Sequence, residues 1–255
     1  MFNFLKTQKD ATTVRLTPQR RLDQALLKAG IEDPTSITKL VISGTVTRLD
    51  FKFIRKKMSK SLQELDLSNA TLEDGKFKRG ALARCVGLTS VTVPNWITEI
   101  GEGALSNCIN LKSFTIPQSV TIIGELAFWG CTSLTAITIP NSVTELQFRA
   151  FNNTGLTSVV LPNSMVKIGG SAFGRCAHLT SVTIPTSVTV IGNGAFSHCT
   201  SLVSVDIPAS VTDIGICAFD GCDAVINVHP DNPVYESPKG KLVSKFAIEM
   251  GYCKV

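Results

Sequence analysis

LTSVTIPTSVTVIGNGAFSHCTS, residues 179–201, decides the fold, because near-copies of this stretch flank it on both sides. With the leading leucine as position 0, six copies begin at Leu88, Leu111, Leu134, Leu156, Leu179 and Leu202, spaced by 23, 23, 22, 23 and 23 residues. Positions +3 and +5 are apolar around a mostly polar residue, from Val91 and Val93 in the first copy to Val205 and Ile207 in the last. That is the period-two pattern of a short strand. Position +6 is proline in every copy (Pro94, Pro117, Pro140, Pro162, Pro185, Pro208) and ends the strand, since proline brings no N–H to a ladder. A second apolar pair at +9 and +12 precedes a glycine at +13, replaced only by Gln147, which reads as a turn requirement. Alanine at +16 and phenylalanine at +17 (Leu105 in the first copy) then close the coil through a short helical or turn segment. One such coil cannot bury these side chains alone. Stacked coils bury them together, which makes a solenoid with Phe128, Phe151, Phe173 and Phe196 piled in file.

The LxxLxL spacing resembles a leucine-rich repeat, and the further elements IPxSVTxIGxxAFxxC resemble the BspA-like (Treponema pallidum type) leucine-rich repeats. The resemblance is close over residues 88–224 and looser over 37–87, where Ile37, Leu40 and Ile42, then Leu62, Leu65 and Leu67, fit positions 0, +3 and +5. It implies a strand-rich α/β leucine-rich repeat solenoid, a right-handed superhelix of about eight coils. It also implies a function closer to adhesins and host- or matrix-binding proteins than to enzymes. Family members are mostly bacterial surface proteins.

The ends depart from the repeat. Residues 1–16 carry little pattern and read as a mobile arm. Thr17-Pro18 reads as a helix start, Leu22, Ala25, Leu26 and Ala29 share one helical face, and Gly30 stops it. This helix, roughly 18–29 within a cap over 17–36, is expected to cover the first coil. The solenoid then runs over 37–224, with two degenerate repeats in 37–87 and six regular ones in 88–224. Between the degenerate repeats, DFKFIRKKMSK suggests a helix with Phe53, Ile54 and Met58 on the core side and Lys52, Arg55, Lys56, Lys57 and Lys60 on a basic outer face. Residues 225–255 read as a C-terminal cap: Val225 and Val228 start a ninth coil, Pro230-Asp231-Asn232-Pro233 breaks it, and VHPDNPVYESPKGKLVSK resembles an irregular hairpin.

Composition narrows the function classes. No run of 18 apolar residues exists, so no transmembrane helix is expected. The start, MFNFLKTQKD, has no apolar segment or small-residue cleavage site and is not a signal peptide. The chain therefore reads as cytoplasmic or as the mature form of a secreted or cell-surface protein, the latter favoured by the resemblance. Charge is uneven: residues 1–87 hold 17 Lys and Arg against 9 Asp and Glu, and residues 88–255 hold 8 against 11. The basic 52–60 face could meet an acidic surface or nucleic acid, or simply keep that end solvated; no aromatic residues are interleaved for base stacking. Six of the eight cysteines, Cys85, Cys108, Cys131, Cys176, Cys199 and Cys222, stand three residues before a repeat start, with Asn153 in that slot of the shortened repeat. A cysteine recurring once per coil reads as a ladder of buried thiols, with disulfides or metal as the rival reading. Cys217 and Cys253 fall outside the ladder, and Cys217, at an outward-looking position, reads as an exposed thiol, with a reactive one as the alternative.

No catalytic set is visible. His178, His198 and His229 are the only histidines, and His178 and His198 lie in coil-to-coil loops with no acidic partner by pattern. Gly101-Glu102-Gly103 and Gly192-Asn193-Gly194 lack the rest of a phosphate loop, and no Cys–His spacing suits zinc. No enzyme activity and no cofactor are expected, and the chain is expected to be a monomer that binds a protein or glycan. Two surfaces are candidates. The outward strand positions +2 and +4 should line a concave, hydroxyl-rich face: Ser90, Thr92, Ser113, Thr115, Thr138, Ser158, Ser181, Thr183, Ser204 and Asp206, interrupted by Ala136 and Val160. These residue types equally suit a strand. The other candidate lies where the repeat is violated: Trp96, Ile122, Leu126, Trp129 and Phe148 replace small or polar residues and could form an apolar patch on the flank or convex side.

Overall fold

A computed structural model describes residues 11–232 of the chain. They form a parallel β-solenoid of eight coils whose strand registers are those the repeat dictates. Strand β1 (Thr12–Leu16) pairs in parallel with β2 (Lys39–Val46), which pairs with Glu64–Asp66, then Ser90–Thr92, then Ser113–Phe114. Leu40 stands opposite Leu65, Leu65 opposite Val91 and Val91 opposite Phe114, so the degenerate coils share the register of the regular ones. A single bridge, Thr138 to Val160, carries the pairing across the shortened coil. Beyond it Ser158–Val160, Ser181–Thr183, Ser204–Ile207 and Val225–Val228 continue it. A second parallel sheet, on the flank, is built from two-residue strands running from Lys76–Phe77 to Asp213–Ile214.

The rest of each coil is turns. The proline carbonyl accepts from the +9 amide, as in Val120 to Pro117 at 3.0 Å and Val188 to Pro185 at 3.0 Å. On the ridge the +17 amide donates to the +16 carbonyl of the next coil, as in Phe128 to Ala150 and Phe173 to Ala195, both 2.8 Å. The Ala-Phe segment is thus a turn stitched to its neighbour and not a helix. Inside, Phe128, Phe151, Phe173, Phe196 and Phe219 stack with centroids 5.1–5.6 Å apart and planes within 10° of parallel. Leucine takes that place at Leu105, and Phe114 meets Phe128 edge-on at 5.2 Å.

Four expectations about the backbone and the repeat register need correction. Residues 12–16 are not part of an arm: Val14 and Leu16 are buried and β1 forms the first rung of the sheet. Helix α1 spans Leu22–Lys28 and not 18–29, because Thr17 and Arg20 exchange backbone hydrogen bonds and hold Pro18 in a tight turn. The slot of the cysteine ladder in the shortened coil belongs to Thr154 and not Asn153. Asn153 has φ 57°, as do its counterparts Asn107 and His198 within a degree, whereas buried Thr154 meets the Cys176 sulfur at 3.1 Å. The missing residue lies in the loop after the slot, so counting back from Leu156 slips by one. Lastly, the +13 glycines do not serve a left-handed turn, for which φ must be positive. A Cβ at Gly101, Gly124 or Gly192 would stand 2.6–2.7 Å from a backbone nitrogen of the preceding coil, so glycine there permits close approach of two backbones. The positive angles fall elsewhere, at +15 (Gly103, Leu126, Arg149, Ser171, Gly194, Cys217) and +19.

Helix α2 (Arg48–Lys57) follows β2 and buries Phe51 and Ile54, with Met58 just beyond it, against the first coils. Phe53 is only half-buried, so Phe51 takes the core position that the sequence pattern gave to Phe53. A capping box starts the helix: Asp50 Oδ2 accepts from the Thr47 amide at 2.8 Å and the Thr47 hydroxyl at 2.7 Å. The other carboxylate oxygen of this buried Asp50 accepts from the Leu22 amide at 2.7 Å, which fixes where α1 begins. The expected cap over 225–255 is described only through Val225–Val228, paired with Ser204–Ile207, and buried Asn232, whose amide nitrogen donates to Pro208 and Val211 carbonyls. The rest of the expected hairpin, and residues 1–10 of the arm, lie outside the described residues.

Candidate partner-binding surface

The outward strand positions form two columns across the sheet. One runs Lys39, Glu64, Ser90, Ser113 and, past the bridge, Ser158, Ser181, Ser204, Val225; the other includes Asp66, Thr92, Val160, Thr183, Asp206 and Asn227. Ser113, Thr115, Thr138, Ser158, Ser181, Thr183, Ser204 and Asp206 are exposed, and Ser90 is half-buried. Charge sits at the two ends of the face, in a Lys39–Glu64 pair at 3.3 Å and in Asp206, which accepts from Asn227 at 2.8 Å. The threonines at +1 behave differently: Thr89, Thr157 and Thr180 hydroxyls donate to carbonyls of the preceding coil at 3.0–3.3 Å, so they tie coils together.

The five residues that break the repeat fall in two places. Leu126, Trp129 and Phe148 lie on the ridge in adjacent coils, where the Leu126 amide donates to the Phe148 carbonyl at 3.0 Å. Phe148 is 42% exposed, lies over Gly170 and carries the Arg149 guanidinium 4.7 Å above its ring. Leu126 and Trp129 are half-buried. Trp96 and Ile122 lie on the flank. Trp96, 43% exposed, covers Gly75 of the preceding coil. Ile122 stands in a column between Glu99, its partner across the sheet, and Glu145, the neighbour of Leu146.

The ladder cysteines are free thiols, buried at Cys85, Cys108, Cys131, Cys176 and Cys199 and half-buried at Cys222. Most donate to the coil below, as from Cys108 to the Leu82 carbonyl at 3.1 Å and from Cys199 to the Phe173 carbonyl at 3.2 Å. Burial pushes the Cys85 and Cys131 thiols up to about 12 and raises Cys108 and Cys176 as well. Those four are inert fillers of the core, whereas the half-buried Cys222 thiol is lowered by its contact with Cys199. Cys217 is disulfide-bonded, which corrects its reading as an exposed thiol. Among the described residues no group of three or more His, Cys, Asp and Glu side chains could hold a metal ion, and no helix is long and apolar enough to cross a membrane.

Sequence reasoning misplaced one cation. The Arg55 guanidinium does not join the basic outer face: its Nη1 donates to the Gly80 and Ala81 carbonyls at 2.7 and 2.8 Å and pins α2 to the next coil. An arginine at the point where α2 passes the following coil is the one signal that could have shown this. Arg48, Lys52, Lys56, Lys57 and Lys60 stay exposed.

Parallel short strands, a phenylalanine stack and a proline turn in each of the six regular coils define a leucine-rich repeat solenoid, a class of interaction module. The chain belongs to the BspA-type leucine-rich repeat family, whose model matches residues 53–180 and 166–239 in six copies. Among solved structures it is similar to the T. pallidum leucine-rich repeat protein, with 30% identity over 62% of this chain and 76% of that one and a TM-score of 0.56. A leucine-rich repeat protein from Bacteroides ovatus matches with 25% identity over 68% of this chain and a TM-score of 0.54. This chain spans about half of it, 48%. No curated protein matches the chain.

Proposed function

We propose that the chain is a non-enzymatic recognition and adhesion module of a bacterial cell-surface protein, which captures a protein or glycan partner on the extended surface of its solenoid. The observation that carries this reading is the stack of five phenylalanine rings, which fixes the last five coils against one another and leaves little surface there to be ordered on binding. The exposed rings of Trp96 and Phe148 then stand as rigid anchors beside a hydroxyl-rich face whose charges sit near its ends, and aromatic anchors are favoured in binding hot spots. Family membership supports an interaction role.

The free ladder thiols favour a second reading, an intracellular interaction scaffold. Their burial weighs against it, since a thiol raised to about 12 has almost no thiolate to oxidise in any compartment. The test is a glycan array together with a panel of extracellular-matrix proteins, repeated with Trp96→Ser/Trp129→Ser. The double variant should keep its circular dichroism spectrum and lose most capture. Undiminished capture would remove the flank and ridge from the proposal, and failure of every probe to bind would count against adhesion itself.

A further inference from the structure

Helix α2 has a second face that the solenoid does not use. Its core face is Phe51, Ile54 and Met58. Leu49, Lys52, Phe53, Lys56 and Lys57, at helical spacings of three and four, make a separate face that lines the boundary with α1. There the two helices, held together through Asp50, leave two adjoining depressions of about 310 and 230 Å³ that share Asp23, Phe53 and Lys57. Half-buried Phe53 forms the common floor. Leu27, 63% exposed, and Leu49, 50% exposed, form the shoulders, an unusual place for two leucines on a cap whose other large apolar residues are packed.

The two walls of this groove differ in charge: Glu32 and Asp33 line the α1 side of the larger depression and pair with no cation among the described residues, whereas the α2 side is lined by lysines. Asp23 is engaged by Arg21 at 3.8 Å, and Asp33 holds the Thr35 amide and hydroxyl at 2.7–2.8 Å. Among the described residues Lys52, Lys56 and Lys57 have no carboxylate partner, although they rim the same depressions. Cations along one wall and leucines on both shoulders complement one occupant: a segment that alternates carboxylates with large apolar side chains.

We propose that the groove between α1 and α2 docks an acidic amphipathic peptide of a protein partner, with its apolar side chains over Phe53 and its carboxylates against Lys52, Lys56 and Lys57. Nucleic acid fits poorly, because exposed leucines offer bases no stacking surface and only one aromatic ring is present. A lipid surface fits poorly as well, because the apolar floor is recessed. This site lies on the front cap, shares no residue with the ridge and flank candidates, and does not depend on the proposed adhesive face.

The test is fluorescence anisotropy of the full chain with a labelled 12-residue peptide of Glu, Leu and Phe in amphipathic order. Controls are the same peptide with Ala for Leu and Phe, a 20-nucleotide single-stranded DNA, heparin, and phosphatidylserine vesicles. The peptide should bind, weaken severalfold on raising NaCl from 50 to 300 mM, and weaken at least about tenfold for Lys52→Glu/Lys56→Glu/Lys57→Glu and for Leu27→Ser/Leu49→Ser, all exposed positions. Equal binding of the alanine peptide would overturn the proposal. So would tighter binding of DNA, heparin or vesicles, or no loss in either variant.

Discussion

Gly192→Ala tests why the +13 position is glycine. A Cβ built there stands 2.6 Å from the Gly170 nitrogen, 2.9 Å from the Gly169 carbonyl carbon and 3.0 Å from the Gly170 Cα. Ordinary contact begins near 3.4 Å, so the two coils must part by roughly 0.8 Å, and all three atoms are backbone with no side chain to swing aside. Their separation would stretch the Gly192 amide to Ile168 carbonyl bond, now 2.8 Å, and loosen the Phe173–Phe196 stack. Overpacking of this kind costs about 1–3 kcal/mol, and the lack of any flexible neighbour places this site near 3. For a chain of this size that lowers Tm by about 5–10 °C. The control is Gly194→Ala in the same coil. It has φ +60° and no backbone within reach, and its column already holds Leu126, Arg149 and Ser171 at φ 52–56°. Its cost should stay near 1 kcal/mol, the left-handed penalty alone. Urea and thermal unfolding followed by circular dichroism give both numbers. If Gly194→Ala loses as much stability as Gly192→Ala, or Gly192→Ala stays within about 0.5 kcal/mol of the parent, the close-approach explanation is wrong and a dihedral requirement takes its place.

Phe173→Ala should cost about 3–5 kcal/mol, because the ring is fully buried between Phe151 and Phe196, while Phe173→Leu should cost far less, since Leu105 already serves that position; chemical denaturation measures both. Asp50→Ala leaves the Leu22 and Thr47 amides without their acceptor and should cost at least about 2–3 kcal/mol; hydrogen exchange should show α1 opening, and unchanged protection at Leu26 would contradict the clamp. Stability should fall as pH rises above 9. The Cys85 and Cys131 thiols ionise near 9 when unfolded but only near 12 when folded, so between these values the unfolded chain binds fewer protons. The loss is on the order of 1 kcal/mol per pH unit per thiol, and the urea midpoint between pH 8 and 10 should drop less in Cys85→Ala/Cys131→Ala than in the parent.

What the sequence states legibly is whatever every coil must do. Leu65 and Val91 are buried for the same reason in the same register, so the pattern alone aligns a degenerate coil with a regular one. The reason for a recurring residue is less legible than its recurrence: a glycine demanded by φ and a glycine demanded by a neighbouring backbone look identical in one dimension. The difference appears only in coordinates, where Gly194 is left-handed and Gly192 is crowded. The front cap is least legible. Among the described residues strand β1 has a coil on one side only and needs no repeat to match, so TTVRL carries too short a signal to stand out from an arm. The hydrogen bond that sets the start of α1 comes from Asp50, 28 residues away, and no local rule for helix starts can see it. The same holds for surfaces. The ridge and flank residues were visible as departures from a consensus, but the α1–α2 groove belongs to segments without a consensus to depart from. Periodicity reports what coils share, so the parts of a solenoid free to specialise are the ones it describes worst, and a search for partners on such a protein does well to begin at the caps.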